Sequence, residues 1–193
     1  DYIDVDVVES PHGRAPAVAT GVKRAQPDKF VFTYQGDGDL AAIGTSEIIH
    51  AANRGENLSV IFVNNTTYGM TGGQMAPTTM LGQKTSTTPY GRDFRSDGYP
   101  IRMAELLAGL EGTAYSARVA VSTPAQIRKA KESVRKAFEM QIGGMGLSIV
   151  EFLSTCPTNW GMKPLDAQKR VLGEMSEYFP LGVFKERKQA DVA

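Results

Sequence analysis

Two carboxylates and two amides are the residues most able to do chemistry in this chain. Asp37 and Asp39 alternate with glycine in Gly36-Asp-Gly-Asp39, directly after the apolar run Phe30-Val-Phe-Thr-Tyr34. Asn64-Asn65 closes a second apolar run that begins at Leu58, and the Gly-rich stretch Tyr68-Gly-Met-Thr-Gly-Gly-Gln74 follows. Glycines let a backbone approach a ligand closely, and a helix starting near Asp39 would offer unsatisfied N–H groups to an anion. That attraction is worth roughly 0.3–1 kcal/mol, and up to ~2 when partly buried. Asp37 and Asp39, however, would stand where a phosphate sits, and like charges so placed need a cation between them. A hard ion such as Mg2+ takes oxygen ligands, commonly one or two carboxylates plus substrate phosphates. Asp37 offers one oxygen, the Asn65 side chain a neutral second, and the Thr67 backbone carbonyl a third. The pattern reads as a metal-bridged diphosphate site.

Two other readings fit the same turn. Gly36-Asp-Gly-Asp-Leu-Ala41 satisfies G-x-G-x-x-A after a strand, the dinucleotide fingerprint of an NAD-binding Rossmann domain. That version wants an acidic residue about 20 positions on, at the end of the second strand. Glu56 falls before that strand, and its end carries Asn64-Asn65 instead, so the dinucleotide reading is the weaker one. The plainer alternative is an ordinary tight turn with an Asp N-cap.

The elements that must position these residues follow from periodicity. Phe30–Tyr34 and Val60–Val63 read as short buried strands. Between them Leu40, Ile43, Ile48, Ala51 and Ala52 recur at helical spacing to Arg54, and Asn53-Arg-Gly55 stops the helix. A strand–helix–strand unit of this length is a right-handed crossover with both strand ends at one sheet edge. Open α/β sheets bind ligands at that edge, so Gly36–Asp39 and Asn64–Gly73 are expected to meet.

Elsewhere, Asp1–Val8 alternates like a strand, with His12 at its end in the turn Pro11-His-Gly-Arg14. Ala15–Arg24 reads as a helix that packs on the sheet through Ala17, Ala19 and Gly21. From Thr66 to Pro100 there is no convincing period, and the many aromatic and Met residues argue for an ordered, lid-like loop. There Thr71, Gln74, Thr78 and Thr79 are candidate polar contacts, and Lys84 and Arg92 read mainly as solvated charges. Ile101–Leu110 reads as a helix and Tyr115–Val121 as a strand. Thr123 and Pro124 open a helix to about Met140, its basic residues forming a solvated face. Leu147–Leu153 is another buried strand, and Pro164 to about Tyr178 an amphipathic helix. The expectation is an α/β fold with a mostly parallel sheet and helices on both faces. It forms one domain over 1–193, with a long loop at about 66–100 and a helical tail at about 163–193.

Composition excludes several classes. Lys+Arg and Asp+Glu balance at 21 each, so nothing argues for nucleic acid or a membrane surface. No apolar run approaches the ~20 residues of a spanning helix. A single cysteine excludes an internal disulfide framework and suits a reducing, cytoplasmic setting. On chemistry alone Cys156 reads as an inert thiol, since a cluster needs about four thiolates.

Gly36-Asp-Gly38, with 25 residues before Asn64-Asn65, resembles the thiamine diphosphate signature. The continuation Tyr68-Gly-Met-Thr-Gly-Gly-Gln-Met-Ala-Pro-Thr-Thr79 resembles the β subunit of 2-oxoacid:ferredoxin oxidoreductases. His12-Gly-Arg-Ala15 and Cys156-Pro-Thr-Asn-Trp-Gly161 resemble other segments of that family, so the likeness spans nearly the whole chain. It implies a thiamine diphosphate-binding fold that oxidatively decarboxylates a 2-oxoacid to an acyl-CoA and passes electrons to ferredoxin. It further implies that Asp37, Asn65 and Thr67 hold Mg2+, and that Gly36, Gly38, Asp39, Gly69, Met70 and Thr71 line the diphosphate with His12-Gly13 beside it. The carboxylate that activates the cofactor belongs, in that family, to a partner subunit of α/γ type, so no catalytic residue is expected here.

Met70 stands where pyruvate enzymes tend to have Asn. With Ala76-Pro-Thr-Thr79 it points to the 2-oxoisovalerate or 2-oxoglutarate branches. In the family Cys156 is one ligand of a 4Fe-4S cluster whose other cysteines lie upstream of Asp1. The chain is therefore expected to be N-terminally truncated, or a version without the cluster, with Cys156 an orphan ligand. A non-catalytic assembly module with an empty site is the alternative function.

Overall fold

The computed structural model describes residues 3–188. Its elements in chain order are α1 (Ala15–Ala25), β1 (Phe32–Gly36), α2 (Thr45–Asn53), β2 (Ser59–Asn64), β3 (Thr67–Tyr68), β4 (Gln74–Met75), α3 (Phe94–Asp97), α4 (Met103–Ala108), β5 (Thr113–Ala120), α5 (Pro124–Ile142), β6 (Leu147–Leu153), α6 (Pro157–Trp160), α7 (Pro164–Arg170), α8 (Ser176–Tyr178) and β7 (Gly182–Glu186). Five strands form one sheet in the order β1-β2-β6-β5-β7, parallel except for β7. The pair β3–β4 is a separate antiparallel hairpin.

Burial explains the layers. Leu40, Ile48, Ala51 and Ala52 pack with Val60, Phe62, Leu147 and Ile149 of the sheet and with Met103 and Leu107 of α4 on one face. On the other face Ala130, Ala137 and Met140 of α5 cover Tyr115, Ala117, Val119 and Val150. Every residue of β5 is buried, as a strand covered on both faces requires. Thr123 caps α5 by accepting the Gln126 N–H at 3.2 Å, with Pro124 at the first helical position. The register sets Gly36 beside Val63, and Asn64 beside Leu153, so the carboxyl ends of β1, β2, β6 and β5 lie along one edge.

Several expectations are corrected. Ile3, Val5, Val7 and Val8 form no strand and are exposed; Asp1 and Tyr2 lie outside the described residues. Alternation without a neighbouring strand to pair with gives no sheet, so His12 ends no strand. Helix α1 buries Pro16, Ala19 and Thr20, while Ala17 and Gly21 face outward. The predicted helix from Leu40 to Arg54 is two pieces: a wide π turn, Asp39–Ile43, joins α2 at Gly44. A Cβ on Gly44 would meet the Asp39 and Gly13 carbonyl oxygens at 2.7 and 2.8 Å, so the turn closes only around glycine. The tail is likewise divided into α7, a second π turn at Val171–Met175, and α8. Strand β7 was not anticipated.

The 66–100 segment is ordered around Arg92. Its guanidinium is buried and donates to the carbonyls of Ala76, Pro77, Thr79, Asp97, Gly98 and Tyr99, at 2.6 Å to Thr79 and 2.9 Å to Pro77. Arg92 is therefore neither a solvated charge nor an anion ligand. It pins the loop from inside. No helix among the described residues is long and apolar enough to cross a membrane.

Candidate cofactor site at the sheet edge

Asp37 leaves the end of β1 into the interior, only 3% exposed. One carboxylate oxygen accepts the Gly38 N–H at 2.9 Å and the other the Thr78 hydroxyl at 2.8 Å, while the backbone N–H groups of Thr66 and Asn65 also point at it. No Lys, Arg or His among the described residues forms an ion pair with it. Burial is the dominant influence and pushes its pKa from 3.8 up to about 6, although the four donors pull the other way. A buried carboxylate with donors but no positive charge beside it carries an unbalanced charge when ionised.

Asn65 is brought to Asp37 by the β1–β2 register. Its Oδ1 accepts the Thr67 N–H at 3.2 Å in an Asx turn, which fixes the side chain. Between them Thr66 adopts φ 62°, a left-handed conformation costly for a β-branched residue. Three contacts hold it there. Its N–H donates to Asn64 Oδ1 at 3.0 Å, and its carbonyl accepts the Thr79 hydroxyl at 2.6 Å and the Gln83 amide at 3.1 Å. Asn64 in turn donates to Glu151 Oε1 at 2.8 Å. Glu151, fully buried, pairs with Arg118 at 3.0 Å, and Arg118 also grips Glu105. The edge is thus braced by ion pairs within the core.

Asp39 does not share a cation with Asp37. Its carboxylate is taken by the His12 ring at 2.6 Å, the Gly13 N–H at 2.6 Å and the Gln35 side-chain amide. The cation expected beside these two carboxylates is therefore placed at Asp37 alone, as the expected ligands Asp37, Asn65 and Thr67 have it, and His12 reaches the edge through Asp39. Gly36 faces open space, whereas the room left by Gly38 is filled by the Tyr68 ring, which a Cβ would meet at 2.3 Å. Gly69, Met70 and Thr71 form the exposed tip of the β3–β4 hairpin, with Met70 fully exposed. Ala76, Thr78 and Thr79 are buried, so Thr78 touches Asp37 while Ala76 and Thr79 support the loop. Cys156 lies behind Gly69, its Sγ 3.9 Å from where a Gly69 Cβ would be. Among the described residues no group of three or more His, Cys, Asp and Glu could hold a metal.

Thr66, Thr78 and the Asn64–Glu151–Arg118 brace were missed by sequence reasoning. Thr78 had been a candidate ligand contact, but nothing marked it as a partner of Asp37. Charged residues inside strands β5 and β6 were the only available sign of the brace.

An acidic turn and an Asx turn face each other across a parallel pair at the carboxyl-terminal sheet edge, the place where open α/β sheets bind ligands. Residues 1–151 match the family described as "Thiamine pyrophosphate enzyme, C-terminal TPP binding domain", and the chain belongs to that family. More particularly, it is 52% identical over 186 residues to the ketoisovalerate oxidoreductase subunit VorA of Methanothermobacter marburgensis, covering 96% of this chain and 39% of that protein. It is 42% identical over 170 residues to the 2-oxoglutarate synthase subunit KorB of Archaeoglobus fulgidus, covering 88% of this chain and 59% of that protein. The solved 2-oxoglutarate:ferredoxin oxidoreductase from Magnetococcus marinus, with 2-oxoglutarate, coenzyme A and succinyl-CoA bound, superposes with a TM-score of 0.65 at 25% identity over 92% of this chain and 63% of that one. The relatives are subunits of 2-oxoacid:ferredoxin oxidoreductases, and the chain spans well under two thirds of their length.

Proposed function

We propose that this chain is the thiamine diphosphate- and Mg2+-binding part of a 2-oxoacid:ferredoxin oxidoreductase. The reaction is oxidative decarboxylation of a 2-oxoacid to an acyl-CoA, with electrons passed to ferredoxin. The observation that carries this reading is Asp37: a buried carboxylate, ringed by donors and without a cationic side chain paired to it among the described residues, at the carboxyl-terminal strand edge where open α/β sheets bind ligands. Asp37, the Asn65 amide oxygen and the Thr67 carbonyl would hold Mg2+, which would supply the positive charge a diphosphate needs beside the Asp37 carboxylate. Gly36, Gly38, Gly69, Met70 and Thr71 line that diphosphate. Asp39 does so through its backbone, because its carboxylate is occupied by His12 and Gly13.

The cofactor, when bound, supplies the ring that takes up the electrons released by decarboxylation. This chain's residues do the anchoring. Among the described residues no carboxylate is proposed to activate the cofactor, and the reading assigns that step to a partner subunit. Identity of 52% to a ketoisovalerate subunit, against 42% to a 2-oxoglutarate one, favours a branched-chain 2-oxoacid as substrate. A cluster cannot be built on Cys156 alone. The enzyme works with its partner subunits in the cytoplasm.

Calorimetry of the full-length subunit with thiamine diphosphate and Mg2+ tests the reading. Saturable, Mg2+-dependent binding is expected, and Asp37→Ala should weaken it at least about a hundredfold, the loss of a charged metal ligand being worth several kcal/mol. Binding that is absent in the wild type, or unchanged in Asp37→Ala, would sink it.

A further inference from the structure

The one-turn helix α6 follows directly on Cys156 at the carboxyl end of β6, and two of its side chains reach across to the candidate cofactor loop. Asn159 Nδ2 donates to the Gly69 carbonyl at 2.9 Å and to Cys156 Sγ at 3.2 Å. Its Oδ1 lies 3.0 Å from where a Gly73 Cβ would stand. Asn159 thus sits beneath both stems of the hairpin tip that runs from Gly69 to Gly73. Gly73 is itself at φ 79° and could not carry a side chain without displacing Asn159. The next residue, Trp160, donates its indole N–H to the Asn65 carbonyl at 3.1 Å. Arg170 of α7 covers the indole at 4.6 Å and is itself tied to Glu174 at 3.0 Å.

These contacts bracket the site. Trp160 grips the chain two residues before Thr67, and Asn159 grips it two residues after. Inside that bracket lie the candidate metal ligands Asn65 and Thr67, and at its far end the glycines proposed to face the diphosphate. The tip has few restraints of its own. The Gly73 N–H returns to the Tyr68 carbonyl at 2.8 Å, Thr71 and Gln74 bond to each other, and Met70 and Thr71 stand in solvent. A loop tip so exposed loses conformational freedom when it closes on a ligand, unless something already holds its shape.

We infer that Asn159 and Trp160 are positioning residues for the cofactor: α6 is a two-point latch that holds the segment 65–73 in its binding shape before the diphosphate arrives. Neither side chain touches the ligand itself. The inference rests on the thiamine diphosphate reading above, and it gives the Cys-Pro-Thr-Asn-Trp segment a role that needs no metal cluster.

The test uses the full-length subunit with three variants, Asn159→Ala, Trp160→Phe and the pair. Trp160→Phe keeps a ring beneath Arg170 but removes the donor. Two readouts separate the outcomes. Amide hydrogen exchange of the cofactor-free protein over residues 65–74 should quicken in each variant while the sheet strands stay protected. Calorimetry should show Kd for thiamine diphosphate at saturating Mg2+ rising roughly five- to tenfold per donor removed, as for the loss of one hydrogen bond. An unchanged Tm places the effect in the loop and not in the fold. Exchange and Kd both indistinguishable from wild type would overturn the latch while leaving the cofactor assignment standing. Quickened exchange with an unaltered Kd would also overturn it, because the contacts would then be structural only. No binding by the wild type overturns the cofactor assignment and the latch together.

Discussion

At the residue scale, Asp37 decides the electrostatics of the edge. Burial raises its pKa from 3.8 to about 6, so in the folded, metal-free protein it is harder to ionise than in the unfolded chain. The sign follows. Its ionised form opposes folding above pH 6, and that opposition fades as pH falls from 6 toward 4, where both states carry the proton. A divalent cation reverses the balance by favouring the carboxylate, and below pH 6 it must displace a proton to bind. Mg2+-dependent cofactor affinity is therefore expected to fall by roughly tenfold per pH unit below 6, with proton release measurable in buffers of different ionisation enthalpy. A flat affinity between pH 5 and pH 7 would show that Asp37 is not the ligand. Asp39, two residues away, is held by His12 and Gly13.

At the element scale, β5 and β6 carry charge into the core, and the pairing is what makes that tolerable. Arg118 is fully buried, pairs with Glu151 and Glu105, accepts company from the rings of Phe179 and Phe184 at 5.2 and 5.1 Å, and donates to the Pro180 carbonyl at 3.1 Å. Removing Arg118 leaves the fully buried Glu151 charge without a cationic partner, at a cost of about 3–5 kcal/mol. Arg118→Met should therefore lower stability by that order in a urea titration, and Arg118→Met with Glu151→Leu together should recover much of the loss. Arg92→Ala leaves six carbonyls short of a donor, and rapid proteolytic nicking between residues 76 and 99 is expected at temperatures where the strands survive. These elements also show what the sequence could disclose. Strand β6 is legible because Leu147, Ile149, Val150, Phe152 and Leu153 crowd a short run that opens after Gly143-Gly-Met-Gly146, even though Ser148 and Glu151 interrupt it. Helix α5 is legible because Thr123-Pro124 is a start signal with a mechanism. Strand β7 is mostly exposed and alternates poorly, so its only mark is its neighbour β5. The segment Ile3–Val8 alternates well and pairs with nothing. The Gly-Asp-Gly turn could be read as a site from residue types, but its division into a buried Asp37 and an engaged Asp39 depends on His12, Thr66 and Thr78, which meet it only after folding. Arg92 looked solvated because backbone carbonyls, its actual partners, have no signature in a sequence.

At the scale of the whole molecule, the exposed surface of the 66–100 segment is unlike that of a solvated loop. Met70 is 100% exposed, Tyr90 96% and Tyr99 68%, and Tyr99 stacks on Phe94 at 5.3 Å. Large apolar side chains held outward on an ordered scaffold mark a surface for another protein. That segment also supplies Gly69, Met70 and Thr71 and the Thr78 that binds Asp37, so a partner seated on it would lie against the cofactor edge. A composite site, as proposed above, would take its activating carboxylate from a partner seated there. Aromatic anchors at such surfaces typically contribute at least about 2 kcal/mol each. Tyr90→Glu with Met70→Glu is therefore expected to weaken association with the partner subunit by roughly a hundredfold or more, read by size-exclusion chromatography or by surface-immobilised subunit. Cofactor binding to the unpartnered subunit should change by less than about threefold for Tyr90→Glu alone, because Tyr90 reaches no residue of the site. Oxidative decarboxylation should fall in step with assembly and return when the partner is raised above the weakened Kd. Activity that survived in the dissociated subunit would mean that the edge is complete without a partner, and the composite site would have to be abandoned.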